Sequence, residues 1–195
     1  MAKLGGPEGN ARLTSATGVM LVVLLAIEGV TILFIRQLIS MHVFVGLLLV
    51  PPVALKLAST GWRFASYYAR RPEYVAKGPP QIALRAIVAP VVVASTIVLF
   101  GTGLAMLAVH PRAGALVGLH KVSFVVWLAS TGIHVLAYLP RLQQLALGDL
   151  RRATRLPSAG LRIGIIGGAV VLGAVFAVST LHLATPWLDW VRSRH

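Results

Sequence analysis

Residues 14–35, TSATGVMLVVLLAIEGVTILFI, decide the fold of this chain. The stretch holds one ionisable side chain, Glu28, among apolar and small residues. An α-helix needs roughly 20 such residues to cross the hydrocarbon core of a bilayer. The stretch is too long for the apolar core of a signal peptide, and no small-residue cleavage motif follows it. We therefore expect it to be retained as a membrane helix.

Four further stretches have the same character, and together the five predict an all-α integral membrane helical bundle. The predicted spans are residues 14–35, 38–57, 86–109, 117–139 and 163–184. Only 12% of the residues are charged, whereas about 25% is usual in soluble domains. The chain has no cysteine, which excludes disulfides, thiolate-bound iron–sulfur clusters and covalently attached c-type haem.

These spans divide the chain into four parts. We predict a tail over 1–13, a four-helix bundle over 14–140 with an interfacial connection at 58–85, a basic loop over 141–162, and a fifth helix with a short tail over 163–195. Of the 18 basic residues, 13 fall on the side of the N-terminal tail and five on the other. Because basic residues concentrate in cytoplasmic connections, we expect the N-terminus in the cytoplasm and the C-terminus outside a bacterial plasma membrane. We therefore interpret the net charge of +13 as a signal for orientation in the membrane rather than for nucleic-acid binding.

Three histidines in these spans have a placement that suits haem ligation. His120 and His134 are 14 residues apart on one predicted helix, so they leave the same face about 21 Å apart along its axis. His42 lies near the outer end of another inward-running helix, at a depth similar to that of His120. Two neutral imidazoles at one depth can hold haem iron from both faces. The alternative is that these histidines form ordinary interhelical hydrogen bonds.

Other residues near these histidines are further candidates. Gly46 lies one helical turn from His42 on the same face and would let a flat macrocycle approach the backbone. Arg36 is either a partner for a haem propionate or an ordinary flanking charge. Lys56 is a candidate iron ligand if deprotonated, although its long side chain can also reach water at the membrane boundary. Glu28 is a proton relay, a contact for a quinone headgroup or, as we favour, a protonated, hydrogen-bonded core residue.

Three short segments carry a resemblance to a known group of proteins. HVFVG at 42–46, LHK at 119–121 and GIH at 132–134 resemble segments of bacterial membrane cytochromes b, the cytochrome b561-like and cytochrome b/b6-type four-helix haem proteins. The resemblance covers roughly residues 14–140. It implies haem b, with His42 and His120 as ligands of an outer haem iron. It also implies an inner haem iron bound by His134 opposite a position near Leu55 or Lys56, where this chain has no histidine; the inner haem is therefore either absent or bound with an unusual partner.

We therefore expect a membrane b-type cytochrome, an electron-transfer subunit of an oxidoreductase rather than a stand-alone catalyst. It would pass electrons between a quinone or another membrane donor and an extracytoplasmic redox partner subunit, which the resemblance suggests is of the molybdopterin type. Membrane lipid is its other expected contact. The alternative is a haem-free anchor or assembly subunit, which fits the small-residue pair Gly164 and Gly168 in the fifth span. A proton-coupled transporter is a third hypothesis, weakened by the lack of internal repeats.

Overall fold

The computed structural model of the chain describes residues 5–78, 87–109, 111, 114–146, 149 and 156–193, with 138–146 and 192 described by their backbone alone. The regular structure of these residues is helical. The helices are α1 Gly6–Leu33, α2 Ile35–Tyr68, α3 Pro72–Ala76, α4 Ala89–Met106, α5 Gly114–Ala146, α6 Ala159–Thr180 and α7 Thr185–Arg192, with a 3-10 turn at Leu181–Ala184 before α7. Five segments are long and apolar enough to cross a membrane: α1, α2, α4, Gly114–Ala137 within α5, and Ala159–Val191. The predicted multi-pass all-α bundle is confirmed.

Several helices extend beyond the predicted spans. α1 begins within the predicted tail, and α2 continues to Tyr68, inside the connection predicted to be interfacial. Between α1 and α2 there is a single residue, Phe34. α2 remains helical through Pro51 and Pro52, and its one residue with non-helical backbone dihedrals is Leu38, before His42. The chain therefore reverses direction abruptly at Phe34. After Leu38, the helix that carries His42 continues without a break.

Four helices form a closed ring in the described part of the chain. α1 packs against α2 and α5, and α4 packs against the same two helices. α2 and α5 are therefore diagonally opposite across the ring. α6 lies outside it, mainly against α2 and to a lesser extent against α1. The two helices that carry the candidate ligands thus face each other across the middle of the bundle.

The helix contacts use many small polar side chains beside a small aliphatic cluster of Leu21, Val45 and Leu49, while many other large aliphatic side chains point outward. Buried hydroxyl residues of the spans are Thr17, Thr31, Ser59, Ser66, Ser95, Thr96, Thr102, Ser123 and Ser130. Several donate to a carbonyl one turn earlier, as Thr17 does to Leu13 at 2.7 Å. By contrast, Leu136 and Val178 are each 70% exposed. Small side chains at helix contacts and an apolar outer surface are typical of helices packed in lipid.

α6 makes its closest approach to α2 at Gly173. A Cβ atom at this position would overlap the carbonyl oxygen of Leu48 and lie 3.0 Å from its carbonyl carbon. That carbonyl lacks its usual helical donor because the residue four positions later, Pro52, has no N–H. Close approach of a glycine Cα to a carbonyl oxygen is a weak but recurrent contact between packed helices. Gly164 and Gly168, the pair suggested by the sequence, have no described atom within 4 Å of such a Cβ.

Polar side chains form hydrogen bonds at both ends of the bundle. At the end that holds the N-terminal tail, buried Arg162 donates to Asp149 at 2.7 Å, and Arg12 donates to the same carboxylate at 3.2 Å. The Arg162 guanidinium holds the pKa of Asp149 below its ordinary value. At the opposite end, the indole N–H of Trp187 donates to the carbonyls of Met106 and Val109, at 2.6 and 3.0 Å. This indole supplies a donor to carbonyls at the C-terminus of α4, where helical partners run out.

Candidate functional site

Two imidazole rings meet in the middle of the helix ring. His42 of α2 and His120 of α5 have ring centroids 6.5 Å apart, and their planes are inclined by 84°. The structure therefore brings these two histidines to one level, as the directions of their spans predict. Because α2 and α5 are diagonally opposite, the rings approach each other from opposite sides of the bundle.

The side chain of His42 is held by two groups on α1. Its Nδ1 lies 2.8 Å from Oε1 of Glu28 and 3.1 Å from the hydroxyl oxygen of Thr31. Thr31 donates its own proton to the backbone carbonyl of Glu28 at 2.6 Å, so its oxygen is left to accept. Both partners are thus acceptors, and the neutral His42 ring carries its proton on Nδ1.

The side chain of His120 is held in the same way by α4. Its Nδ1 lies 3.1 Å from the Leu99 carbonyl oxygen and 3.0 Å from the Thr102 hydroxyl oxygen. Thr102 donates its proton to the Val98 carbonyl at 2.7 Å, and a carbonyl can only accept, so His120 also carries its proton on Nδ1. A Cβ atom at Gly103 would lie 3.4 Å from the Cε1 atom of this ring. The absence of a side chain there gives the imidazole its space.

These hydrogen bonds leave the Nε2 lone pair of each ring available. The hydrogen bonds of both histidines to described residues all use Nδ1. A histidine that binds a metal through Nε2 normally donates its Nδ1–H to a carboxylate or carbonyl, which fixes the tautomer and the orientation of the ring. The two rings therefore have the tautomer and the support of metal ligands.

The spacing of the rings also suits a shared ion. If one ion is bound by two imidazoles from opposite sides, each nitrogen is about 2.0 Å from it and each ring centre roughly 1.1 Å further, which places the centroids about 6.2 Å apart. The observed separation is 6.5 Å. Among the described residues, no group of three or more histidine, aspartate or glutamate side chains could hold a metal ion. Two imidazoles alone suit a metal that brings its remaining ligands in a macrocycle, so the residues present fit haem.

The sequence did not identify most of the groups that hold the rings. Glu28 was noticed, with a structural role favoured, whereas Thr31, Thr102 and the Leu99 carbonyl were not. The sequence contains a partial signal for these supporting groups. Thr31 follows Glu28 by one helical turn, and Thr102 precedes a glycine. A backbone carbonyl such as that of Leu99 leaves no mark in a sequence, since every residue has one.

Two further predicted residues, Gly46 and Arg36, lie on the same helix as His42. Gly46 lies beside the carboxylate, where a Cβ atom would be 3.6 Å from Oε1 of Glu28, an ordinary contact. Arg36 is exposed in the first turn of α2. His182 is exposed in the 3-10 turn after α6. His110, Arg112 and His195 lie outside the described residues.

The second predicted haem position lies further along α5. The resemblance places His134 opposite a position near Leu55 or Lys56, and in the structure Lys56 is within electrostatic range of His134. The Lys56 ammonium donates to the backbone carbonyl of Thr14 on α1 at 2.7 Å. Its end is therefore engaged by α1, and Lys56 ties α2 to that helix.

No family model, curated protein or solved structure matches this chain. The resemblance to membrane cytochromes b therefore stays a prediction, and the geometry around His42 and His120 is the basis for a proposed function.

Proposed function

We propose that the chain is a membrane b-type cytochrome that binds one haem through His42 and His120. The observation that carries the proposal is the pairing of two imidazoles whose Nδ1 atoms are both held by acceptors, with ring centroids 6.5 Å apart. Because the chain has no cysteine, the haem would be held without thioether bonds.

The residues of the chain divide the work between ligation and support. α2 and α5 supply the two nitrogen ligands, while α1 and α4 supply the acceptors that orient them. The surrounding helices shield the site from water, and a bundle core of this kind is where cofactors are commonly bound. Haem, when bound, supplies the one-electron chemistry, and the protein supplies binding, orientation and electrostatics.

The charge distribution indicates where electrons would enter or leave. The histidines lie towards the end of the bundle that is poor in basic residues, which the positive-inside rule places outside the cytoplasm. An extracytoplasmic redox subunit, of the molybdopterin type on the resemblance, is the partner that this position favours, with a quinone or another membrane protein as the second redox partner. Arg36, exposed at the same end, offers a cation to a haem propionate or to that partner.

A visible spectrum of the protein purified from haem-sufficient cells tests the proposal. We expect b-type bands after dithionite reduction and one haem per chain. His42→Ala and His120→Ala should lose the bands, whereas the matched control His182→Ala should keep them, since His182 is exposed and outside the ring of helices. His134→Ala should also keep them if one haem is bound.

Loss of haem must be separated from loss of fold. Helicity of each variant, measured by circular dichroism, should match that of the parent. Free imidazole added to H42A or H120A should restore a low-spin spectrum by occupying the vacated ligand position. A colourless parent protein would overturn the proposal and favour a haem-free anchor subunit. An H42A protein with unchanged spectrum and haem content would overturn the proposal because His42 would not be a ligand.

A further inference from the structure

The two histidines are held by acceptors of different charge. Nδ1 of His42 contacts a carboxylate, Oε1 of Glu28, at 2.8 Å. Nδ1 of His120 contacts a carbonyl and a hydroxyl, at 3.1 and 3.0 Å. The site is therefore symmetric in its ligands but asymmetric in their support, with one acidic side chain on the α1 side only.

The position of Glu28 is costly unless the charge has a partner. Its side chain is 12% exposed and lies within a membrane-spanning helix, where an ionised carboxylate is expensive and is normally paired. Among the described residues, the group that faces Oε1 at 2.8 Å is the Nδ1–H of His42, a hydrogen-bond donor. Its second oxygen, Oε2, lies 3.2 Å from the hydroxyl oxygen of Thr31. Oε1 thus faces the imidazole of His42, and Oε2 faces Thr31, the second residue that contacts this imidazole.

A carboxylate in this place would act on a haem through the ligand. A carboxylate that accepts the imidazole N–H makes the other ring nitrogen a stronger electron donor. Ferric haem with two neutral imidazoles carries one positive charge, and the ferrous form carries none. A nearby negative charge therefore stabilises the ferric form relative to the ferrous form, which lowers the reduction potential.

We propose that Glu28 is a positioning residue that sets a low reduction potential for the haem through its hydrogen bond to His42. The proposal rests on the proposed function and deepens it, because it concerns the same site. It identifies the His42 side of the haem as the side whose electrostatics are tuned, and the His120 side as neutral.

The test is Glu28→Gln in the haem-loaded protein, with the midpoint potential measured by spectroelectrochemistry at one neutral pH. The amide keeps the size of the side chain and an acceptor oxygen but removes the charge. Removal of such a supporting partner typically costs 10- to 100-fold in metal affinity or activity. We expect at least a tenfold rise in the ferrous-to-ferric ratio at a fixed potential, which corresponds to an upward shift of about 59 mV for a one-electron couple.

Two control variants separate this effect from general changes. Glu73→Gln removes the same charge from an exposed position in α3 and should leave the midpoint unchanged. Thr102→Val removes one neutral acceptor of His120 while the Leu99 carbonyl remains, so its shift should be smaller than that of E28Q.

The outcomes distinguish this proposal from the one on which it rests. A parent protein without haem would overturn the proposed function. A haem-loaded E28Q protein with the parental midpoint would overturn the role of Glu28 and leave both ligands in place. If E28Q does not bind haem, Glu28→Asp decides, since its shorter side chain withdraws the carboxylate from the 2.8 Å contact. A raised midpoint in that variant supports the proposal, and a parental midpoint overturns it.

Discussion

The seating of α6 on α2 can be tested by adding one carbon atom at Gly173. In Gly173→Ala the new Cβ would overlap the Leu48 carbonyl oxygen. That oxygen belongs to the backbone in the interior of α2, so it cannot rotate away as the end of a flexible side chain could. The substitution therefore has to move α6 away from α2 or distort one of the two helices.

The expected cost follows from two opposing effects. Overpacking of a closely packed contact costs about 1–3 kcal/mol, and a clash with backbone belongs at the upper end. Replacement of glycine by alanine within a helix returns about 1 kcal/mol. The free energy of unfolding of G173A should thus fall by about 2 kcal/mol. Gly168→Ala, on the same helix with no described atom within 4 Å of its Cβ, should gain about 1 kcal/mol, which separates the two variants by about 3 kcal/mol.

Circular dichroism of the detergent-purified proteins during titration with SDS measures this difference. The expected order of midpoints is G168A highest, then the parent, then G173A. If G173A and G168A unfold at the same midpoint, α6 does not rest on the Leu48 carbonyl and the reasoning fails.

Three further predictions concern the ligands and the two ends of the bundle. The near-perpendicular planes of His42 and His120 predict a strongly anisotropic low-spin ferric EPR signal from the haem-loaded protein; a rhombic signal typical of parallel planes would contradict this orientation. Asp149→Asn should lower the thermal stability at neutral pH, because the pKa of Asp149 is lowered in the folded protein by Arg162. That stabilisation is present above the ordinary carboxyl pKa and is lost as the pH falls through the lowered value, so the gap between parent and D149N in thermal melts should close in acid; a gap independent of pH would refute the ion pair. Trp187→Phe removes the indole donor to two carbonyls, each bond worth about 0.5–1.5 kcal/mol, and should speed hydrogen exchange at the C-terminus of α4, with unchanged exchange counting against the cap.

The membrane spans could be predicted from the sequence, but the ends of the helices could not. Apolar runs identify the segments that lie in hydrocarbon, because charged residues there are costly. A helix does not end where the hydrocarbon ends, since its backbone hydrogen bonds continue to be satisfied in the same conformation. α2 therefore continues to Tyr68, among arginines and aromatic residues that hydropathy assigns to a connection.

The common level of His42 and His120 could also be predicted, because it follows from the direction and length of their spans. The partners of each Nδ1 could not be predicted, since they depend on how neighbouring helices are rotated about their axes. The same limit applies to the glycines of α6. The spacing of glycines predicts Gly164 and Gly168 as a contact pair, but α2 approaches α6 at Gly173. The Leu48 carbonyl at this contact lacks its helical donor because of Pro52, which is in α2 and therefore leaves no mark in the sequence of α6.

The division of the site between helices has a consequence for assembly in the membrane. α1 and α2 form one hairpin and α4 and α5 another, and each hairpin packs more extensively within itself than against the other. Each contains one of the two facing imidazoles, His42 or His120, together with the acceptors that orient it. Each hairpin can therefore hold its own histidine in place as soon as it has inserted into the membrane. A ligand that bridges the two rings would then connect the two hairpins.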